Sequence, residues 1–240
     1  LNDIFLVDIQ PHTLKKEAMA KDIVAIIDYG SGNLRSAAKA FEKVIADQGM
    51  NLEVIVTSRA DDLRRASRIV LPGQGAFGDC INGLRAVSGM TEALDEVVIK
   101  KGNPFLGICV GMQLMATRGL EHGIHAGLDW IPGEVVPIEP TDKSLKIPHM
   151  GWNEIVIPSL PLQDNCHFVL RSAETSEHYY FVHSFMMKCN YDHHILGMVD
   201  YGGLIPAVIG RDNMIGTQFH PEKSQKAGLR LITEFLNWKP

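Results

Sequence analysis

The run Pro104-Phe105-Leu106-Gly107-Ile108-Cys109-Val110-Gly111 is short and apolar, opens on a proline and turns at a cysteine with a glycine two residues to either side. Its first five residues fit a buried strand, and Met112 to Ala116 beyond the turn reads as a helix. A strand, a sharp turn bearing a nucleophile and a helix make a nucleophile elbow. The handed-down requirement for glycine at such a turn is physical, since only small residues allow a strained backbone and the close approach of its neighbours. Cys109 at a helix N-terminus would face unpaired N–H groups that favour thiolate over thiol.

Far downstream stands His220-Pro221-Glu222. Proline pushes the residue before it towards an extended conformation, and in an extended segment residues two apart share a side, so Glu222 is placed to reach the ring of His220. A histidine that shuttles a proton needs its other nitrogen held by an acceptor, and Glu222 supplies one. Taken alone, this tripeptide reads equally as a loop before the amphipathic helix expected from about Ser224 to Trp238. Together with the cysteine turn it points to nucleophilic catalysis by Cys109, His220 and Glu222.

Working outward, Ile23 to Asp28 reads as a first strand and Tyr29 to Asn33 as a glycine-rich turn. Leu34, Ala37, Ala38, Phe41, Val44 and Ile45 follow helical spacing. Leu52 to Val56 and Arg68 to Leu71 are further strands, so the first half reads as a parallel sheet with crossover helices. The second half changes to short strands at Val135–Ile138, Ile155–Ile157, Tyr179–Val182, Leu196–Val199, Ala207–Gly210 and Ile215–Phe219, with a hairpin turn at Arg211-Asp212-Asn213. The expected fold is α/β, a mostly parallel central sheet flanked by helices, with an additional antiparallel strand region in the second half. Residues 23–240 read as one domain. Residues 1–22 read as an N-terminal extension, and the absence of an initiator Met is taken to mean that the chain does not begin at its natural start.

Composition narrows the class. The chain has 240 residues, 45% of them hydrophobic, and a net charge of −5. That length can bury one substantial core, and the charge speaks against both disorder and a basic nucleic-acid surface. No apolar run approaches the roughly 20 residues that span a bilayer. The four cysteines, Cys80, Cys109, Cys166 and Cys189, include no C-x-x-C pair, which argues against a zinc site or disulfide framework and for reduced thiols in the cytoplasm. Cys80, Cys166 and Cys189 read as packed or surface thiols. Gly30-Ser31-Gly32 reads as a turn rather than a phosphate loop. His193-His194, with His178, His183 and Cys189, matches no zinc spacing. No metal or cofactor is expected.

Gly-Ile-Cys-Val-Gly-Met-Gln at 107–113 and Gln-Phe-His-Pro-Glu-Lys-Ser at 218–224 resemble the class I, triad-type glutamine amidotransferases. Asp28-Tyr29-Gly30-Ser31-Gly32-Asn33-Leu34, Pro72-Gly73-Gln74-Gly75-Ala76-Phe77, Pro148-His149-Met150-Gly151-Trp152-Asn153 and Tyr180-Phe181-Val182-His183-Ser184 look like the glutaminase subunits of imidazole glycerol phosphate synthases. Gln74 stands where valine is common, and Phe185 where tyrosine often follows His-Ser. The resemblance implies hydrolysis of glutamine to glutamate and ammonia, with oxyanion donors from the backbone of Val110, Gln74 and Gly75 and a substrate pocket of Gln113, Gly75, Ser184 and Phe185. It also implies a partner: the (β/α)₈-barrel cyclase subunit of imidazole glycerol phosphate synthase, approached on the side of Trp152, Tyr180 and Lys223. Three other readings are the glutaminase of anthranilate or GMP synthesis, a γ-glutamyl hydrolase or cysteine peptidase acting alone, and a non-enzymatic subunit that kept the fold. Pro148–Asn153 and Asp28–Gly30 favour the histidine pathway over the first.

Overall fold

The computed structural model describes residues 20–157, 167–174 and 177–240. Cys166 and the greater part of the expected N-terminal extension lie outside the described residues. The chain runs β1 (Asp22–Ile27), α1 (Leu34–Gln48), β2 (Leu52–Thr57), α2 (Ala60–Arg65), β3 (Arg68–Gly73), α3 (Phe77–Ala86) and α4 (Met90–Leu94), then β4 (Phe105–Cys109) and α5 (Val110–Gln113). Next come β5 (Ala116–Gly119), β6 (His125–Ala126), β7 (Ile131–Pro137), β8 (His149–Glu154), β9 (His178–His183) and β10 (Phe185–Cys189). It ends with β11 (Ile195–Asp200), β12 (Leu204–Arg211), β13 (Met214–Thr217) and α6 (Gln225–Asn237).

Seven strands form the central sheet in the order β11-β12-β13-β4-β3-β1-β2. From β2 to β13 the pairing is parallel; β12 and β11 add to the β13 edge antiparallel. All five residues of β4 are buried, as a central parallel strand covered on both faces requires, which is why its sequence shows no alternation. Helix α1 starts where Asn33 accepts a hydrogen bond from Ser36 N–H and stops at Gly49 in the left-handed region. It buries Ala37, Ala40, Phe41 and Val44, and Phe41 meets Phe235 of α6 edge to face.

The second half carries a four-stranded sheet, β10-β7-β5-β6, and the antiparallel β8–β9 pair, so the change of texture along the chain is real. Two expectations need correction. The segment from Met112 to Ala116 is not a helix: α5 ends at Gln113 after a single turn, and Ala116 opens β5. Leu114 and Met115, both fully buried, are held by the tertiary pairing of Leu128, Trp130 and Ile131 N–H groups with their carbonyls, which outcompetes helix continuation. Ile155–Ile157 is likewise not a strand. Only Val156 bridges to Met198, while the six residues before it form β8.

Although β13 belongs to the antiparallel half by position in the chain, it lies parallel to β4, with Thr217 beside Ile108. The residues following Thr217 therefore leave the sheet next to Cys109, at the carboxyl ends of the strands, where open α/β sheets place their ligands.

Candidate active site

Cys109 ends β4 at φ 55°, ψ −112°. A non-glycine residue there stores about 1–3 kcal/mol of strain and persists only when its surroundings over-determine it. They do so here. A Cβ on Gly107 would lie 2.7 Å from the Gly111 carbonyl oxygen, and one on Gly111 would collide with the Leu71 carbonyl oxygen. Backbone crowding from both sides holds the elbow, and the Cys109 side chain is left at the floor of a cleft of about 280 Å³.

His220 reaches the same cleft from the end of β13. Its N–H donates to the Tyr180 carbonyl at 2.9 Å, and the Ser224 hydroxyl donates to its carbonyl at 2.6 Å. His220 is extended, as expected, but Pro221–Lys223 is a 3₁₀ turn. Glu222 thus comes to the ring by the turn rather than by strand alternation, and its Oε1 lies 2.9 Å from His220 Nδ1. Both side chains are almost wholly buried. Burial works against a charged imidazole, but hydrogen bonds and opposite charge from Cys109 and Glu222 outweigh it and raise the His220 pKa to about 9. The ring is therefore flanked by the Cys109 thiol on one side and the Glu222 carboxylate on the other.

Val110 opens α5, and Gln74 and Gly75 line the cleft opposite. The Gln74 N–H donates to Ser31 Oγ at 3.2 Å, while the Gln74 carbonyl accepts from the Ser31 hydroxyl and, at 3.4 Å, from the Cys80 thiol. Ser31 therefore ties both ends of this residue's backbone, and its N–H is turned to Ser31 in this conformation. Gln113 lies beneath Ser184 and Phe185, donating from Nε2 to the Phe185 carbonyl at 3.1 Å. Trp152 and Tyr180 pair across β8 and β9 with ring centroids 5.9 Å apart, and Lys223 Nζ sits 5.6 Å from the Tyr180 ring centre. These three form one patch beside His220, since the Tyr180 and His220 rings are 6.4 Å apart.

Two residues escaped the sequence reading. Glu121 lines the cleft and accepts the Phe77 N–H at 2.7 Å, fixing its carboxylate at the start of α3. It stands in a loop with no motif around it, so no local signal marks it. Gln218 was visible only as part of a motif; it is fully buried, with its Nε2 3.8 Å from Cys109 Sγ. The other described cysteines differ from Cys109 in setting. Burial raises the pKa of both, that of Cys189 to about 12. Among the described residues no cluster of three or more His, Cys, Asp or Glu is arranged to hold a metal ion.

The sequence profile described as glutamine amidotransferase class-I matches residues 25–237. The chain belongs to the class-I glutamine amidotransferase family. Among similar proteins, this amidotransferase is 52% identical to the imidazole glycerol phosphate synthase subunit HisH of Cereibacter sphaeroides, over 91% of the chain and 100% of that protein. It is 54% identical to the HisH subunits of Rhodospirillum rubrum and Brucella suis, over 90% of the chain and 99% of each. A solved glutamine amidotransferase superimposes with a TM-score of 0.63 at 15% identity, covering 89% of this chain and 97% of that one. Another, from Thermotoga maritima, gives 0.57 at 16% identity, covering 90% and 83%. These structural likenesses show that the amidotransferase shares their fold. Among its described residues no helix is long and apolar enough to cross a membrane.

Proposed function

We propose that this amidotransferase is the glutaminase subunit of an imidazole glycerol phosphate synthase. It hydrolyses glutamine at Cys109 and passes the ammonia to a (β/α)₈-barrel cyclase subunit, which makes imidazole glycerol phosphate and an aminoimidazole carboxamide ribonucleotide in histidine biosynthesis. The observation that carries the reading is the strained Cys109 elbow beside the 2.9 Å His220–Glu222 pair. Identity of 52–54% to HisH subunits over 90–91% of this chain supports this assignment over the anthranilate and GMP alternatives.

In this mechanism the Cys109 thiolate attacks the side-chain carboxamide carbon of glutamine, and charge collects on the carboxamide oxygen. The N–H of Val110 and an N–H from Gln74 or Gly75 meet it; loss of one such donor costs about 10²–10³ in turnover. His220 gives its proton to the carboxamide nitrogen as the C–N bond breaks, so that it leaves as ammonia, then takes a proton from the water that opens the thioester to glutamate, with Glu222 holding the ring. Glu121 supplies an anion for the α-ammonium group of the substrate, and the Ser184–Phe185 wall and Gly75 enclose the rest. Because ammonia released into neutral water is mostly protonated and ceases to be a nucleophile, it must leave under cover. The patch of Trp152, Tyr180 and Lys223 beside His220 is where the partner would receive it.

The Ser31 contacts bear on control. With the Gln74 N–H held by Ser31, that donor is withheld from the oxyanion until the Gln74 peptide turns, and binding of the partner and its nucleotide ligand would favour the turned state. Glutamate production is measured for the chain alone, with the cyclase subunit, and with cyclase plus ligand. A rise of at least about 10²-fold is expected on the last addition. Equal rates in all three would favour a stand-alone hydrolase instead.

A further inference from the structure

Gln218 follows β13 directly and is fully buried, yet no step above uses it. Its Oε1 accepts from Gln113 Nε2 at 3.0 Å, and the same Gln113 nitrogen donates to the Phe185 carbonyl at 3.1 Å. The direction of these amides is not free. A backbone carbonyl only accepts, so Gln113 must turn its nitrogen towards Phe185. The second N–H of that nitrogen then meets Gln218, which must answer with oxygen and leaves its own nitrogen at Cys109 Sγ, 3.8 Å away. The Phe185 carbonyl is itself pinned, lying 2.9 Å from His183 Nδ1, while His183 Nε2 lies 3.0 Å from His149 Nδ1. One acceptor-only group thus sets the polarity of the whole chain of bonds, which ends in an N–H at the nucleophile.

We propose that Gln218 is a positioning residue for Cys109: its carboxamide donates to Sγ, fixes the place of the sulfur and favours the thiolate over the thiol. A donor to an ionised group stabilises that form, and a buried primary amide is costly unless its hydrogen bonds are made. Methionine would fill the same space without a donor. The proposal rests on the assignment of Cys109 as nucleophile, and it moves no proton or bond of its own.

The test is alkylation of the full chain by iodoacetamide across pH, read by mass mapping of the peptide that carries Cys109. The parent, Gln218→Met and Gln113→Met are compared, with unfolding midpoints measured alongside. Gln218→Met is expected to move the alkylation profile to higher pH and to slow alkylation near neutrality by about tenfold. Gln113→Met should give a smaller shift of the same sign, because the untethered Gln218 amide is then free to turn its oxygen to the sulfur. In glutamine assays with the partner, the loss in Gln218→Met should fall on kcat rather than KM. A folded Gln218→Met chain with the parent's alkylation profile overturns the proposal; if that variant does not fold, an unchanged profile in Gln113→Met does so. A parent whose Cys109 reacts no faster than its other cysteines overturns the functional reading and the proposal with it, and that result is separable because it is read on the parent alone.

Discussion

Cys109→Ala and Cys109→Ser are expected to abolish glutamine hydrolysis while leaving the fold nearly intact, because the side chain is small and the chemistry depends on the thiolate. Labelling with a glutamine-mimicking electrophile and peptide mapping checks this: adduct at Cys80, Cys166 or Cys189 in place of Cys109 would refute it. On the proposed mechanism His220 and Glu222 should differ in weight. His220→Ala would remove the proposed proton shuttle outright, whereas Glu222→Gln would keep the packing and weaken only the orientation and charge at Nδ1, 2.9 Å away. The histidine variant is expected to lose more turnover by about one to two orders of magnitude. Full activity of Glu222→Gln in the presence of the partner would remove its orienting role. Cys109, His220 and Glu222 stood out in the sequence because a nucleophile, a base and an orienting acid would each need a particular side chain; the 2.9 Å contact of His220 with Glu222 is what the structure adds. The place of Glu121 in the cleft was not legible, because it depends on a loop brought against α3 from 44 positions away.

At the scale of elements, the segment between β3 and α3 is the one whose conformation matters most. Ser31, in the turn after β1, engages the Gln74 N–H at 3.2 Å and also donates to its carbonyl. Ser31→Ala removes both contacts and leaves only the Cys80 thiol on that carbonyl. The peptide should then turn more readily, and the unstimulated glutaminase rate of the chain alone should rise while the ligand-stimulated rate changes little. A stopped glutamate assay on the two proteins decides it, and an unchanged unstimulated rate would show that Ser31 does not restrain the loop. The turn reading of Gly30-Ser31-Gly32 was available from the sequence; its contact with a second turn 43 residues on was not. The elbow helix shows the same limit. Apolar spacing over Met112–Ala116 fits a helix and a buried turn into a strand equally well, and pairing with Leu128–Ile131 chose the second.

Across the molecule, buried and half-buried histidines set opposing pH responses. His149, His167 and His183 have pKa values lowered by burial to about 4. Their unfolded forms bind protons first as pH falls below about 6.5, so the stability they contribute is complete above that value and is lost towards pH 4. For His220 the sign is reversed. Its value, raised to about 9, makes its contribution complete below about pH 6.5 and lost as pH climbs through 9. Urea midpoints measured from pH 4 to 9 should therefore fall towards both ends, and His220→Gln should flatten the alkaline limb relative to the parent. An alkaline limb identical in both proteins would contradict the His220 assignment.

The α/β class, the parallel first half and the Cys109 turn could be read from the chain alone because each is written in local pattern: apolar runs bounded by proline and glycine, helical spacing, and a nucleophile between small residues. What local pattern cannot express is which strands become neighbours. The return of β13 to pair with β4, with Thr217 beside Ile108, is a long-range hydrogen-bonding choice made by burial of the whole sheet. It brings His220 to a cysteine 111 positions earlier, and it also sets Gln218 against the same sulfur, a placement that no motif foretold. Residue chemistry thus follows from the sequence, while adjacency follows from the sheet, because only packing of the complete core selects one strand order from those that the same local preferences allow.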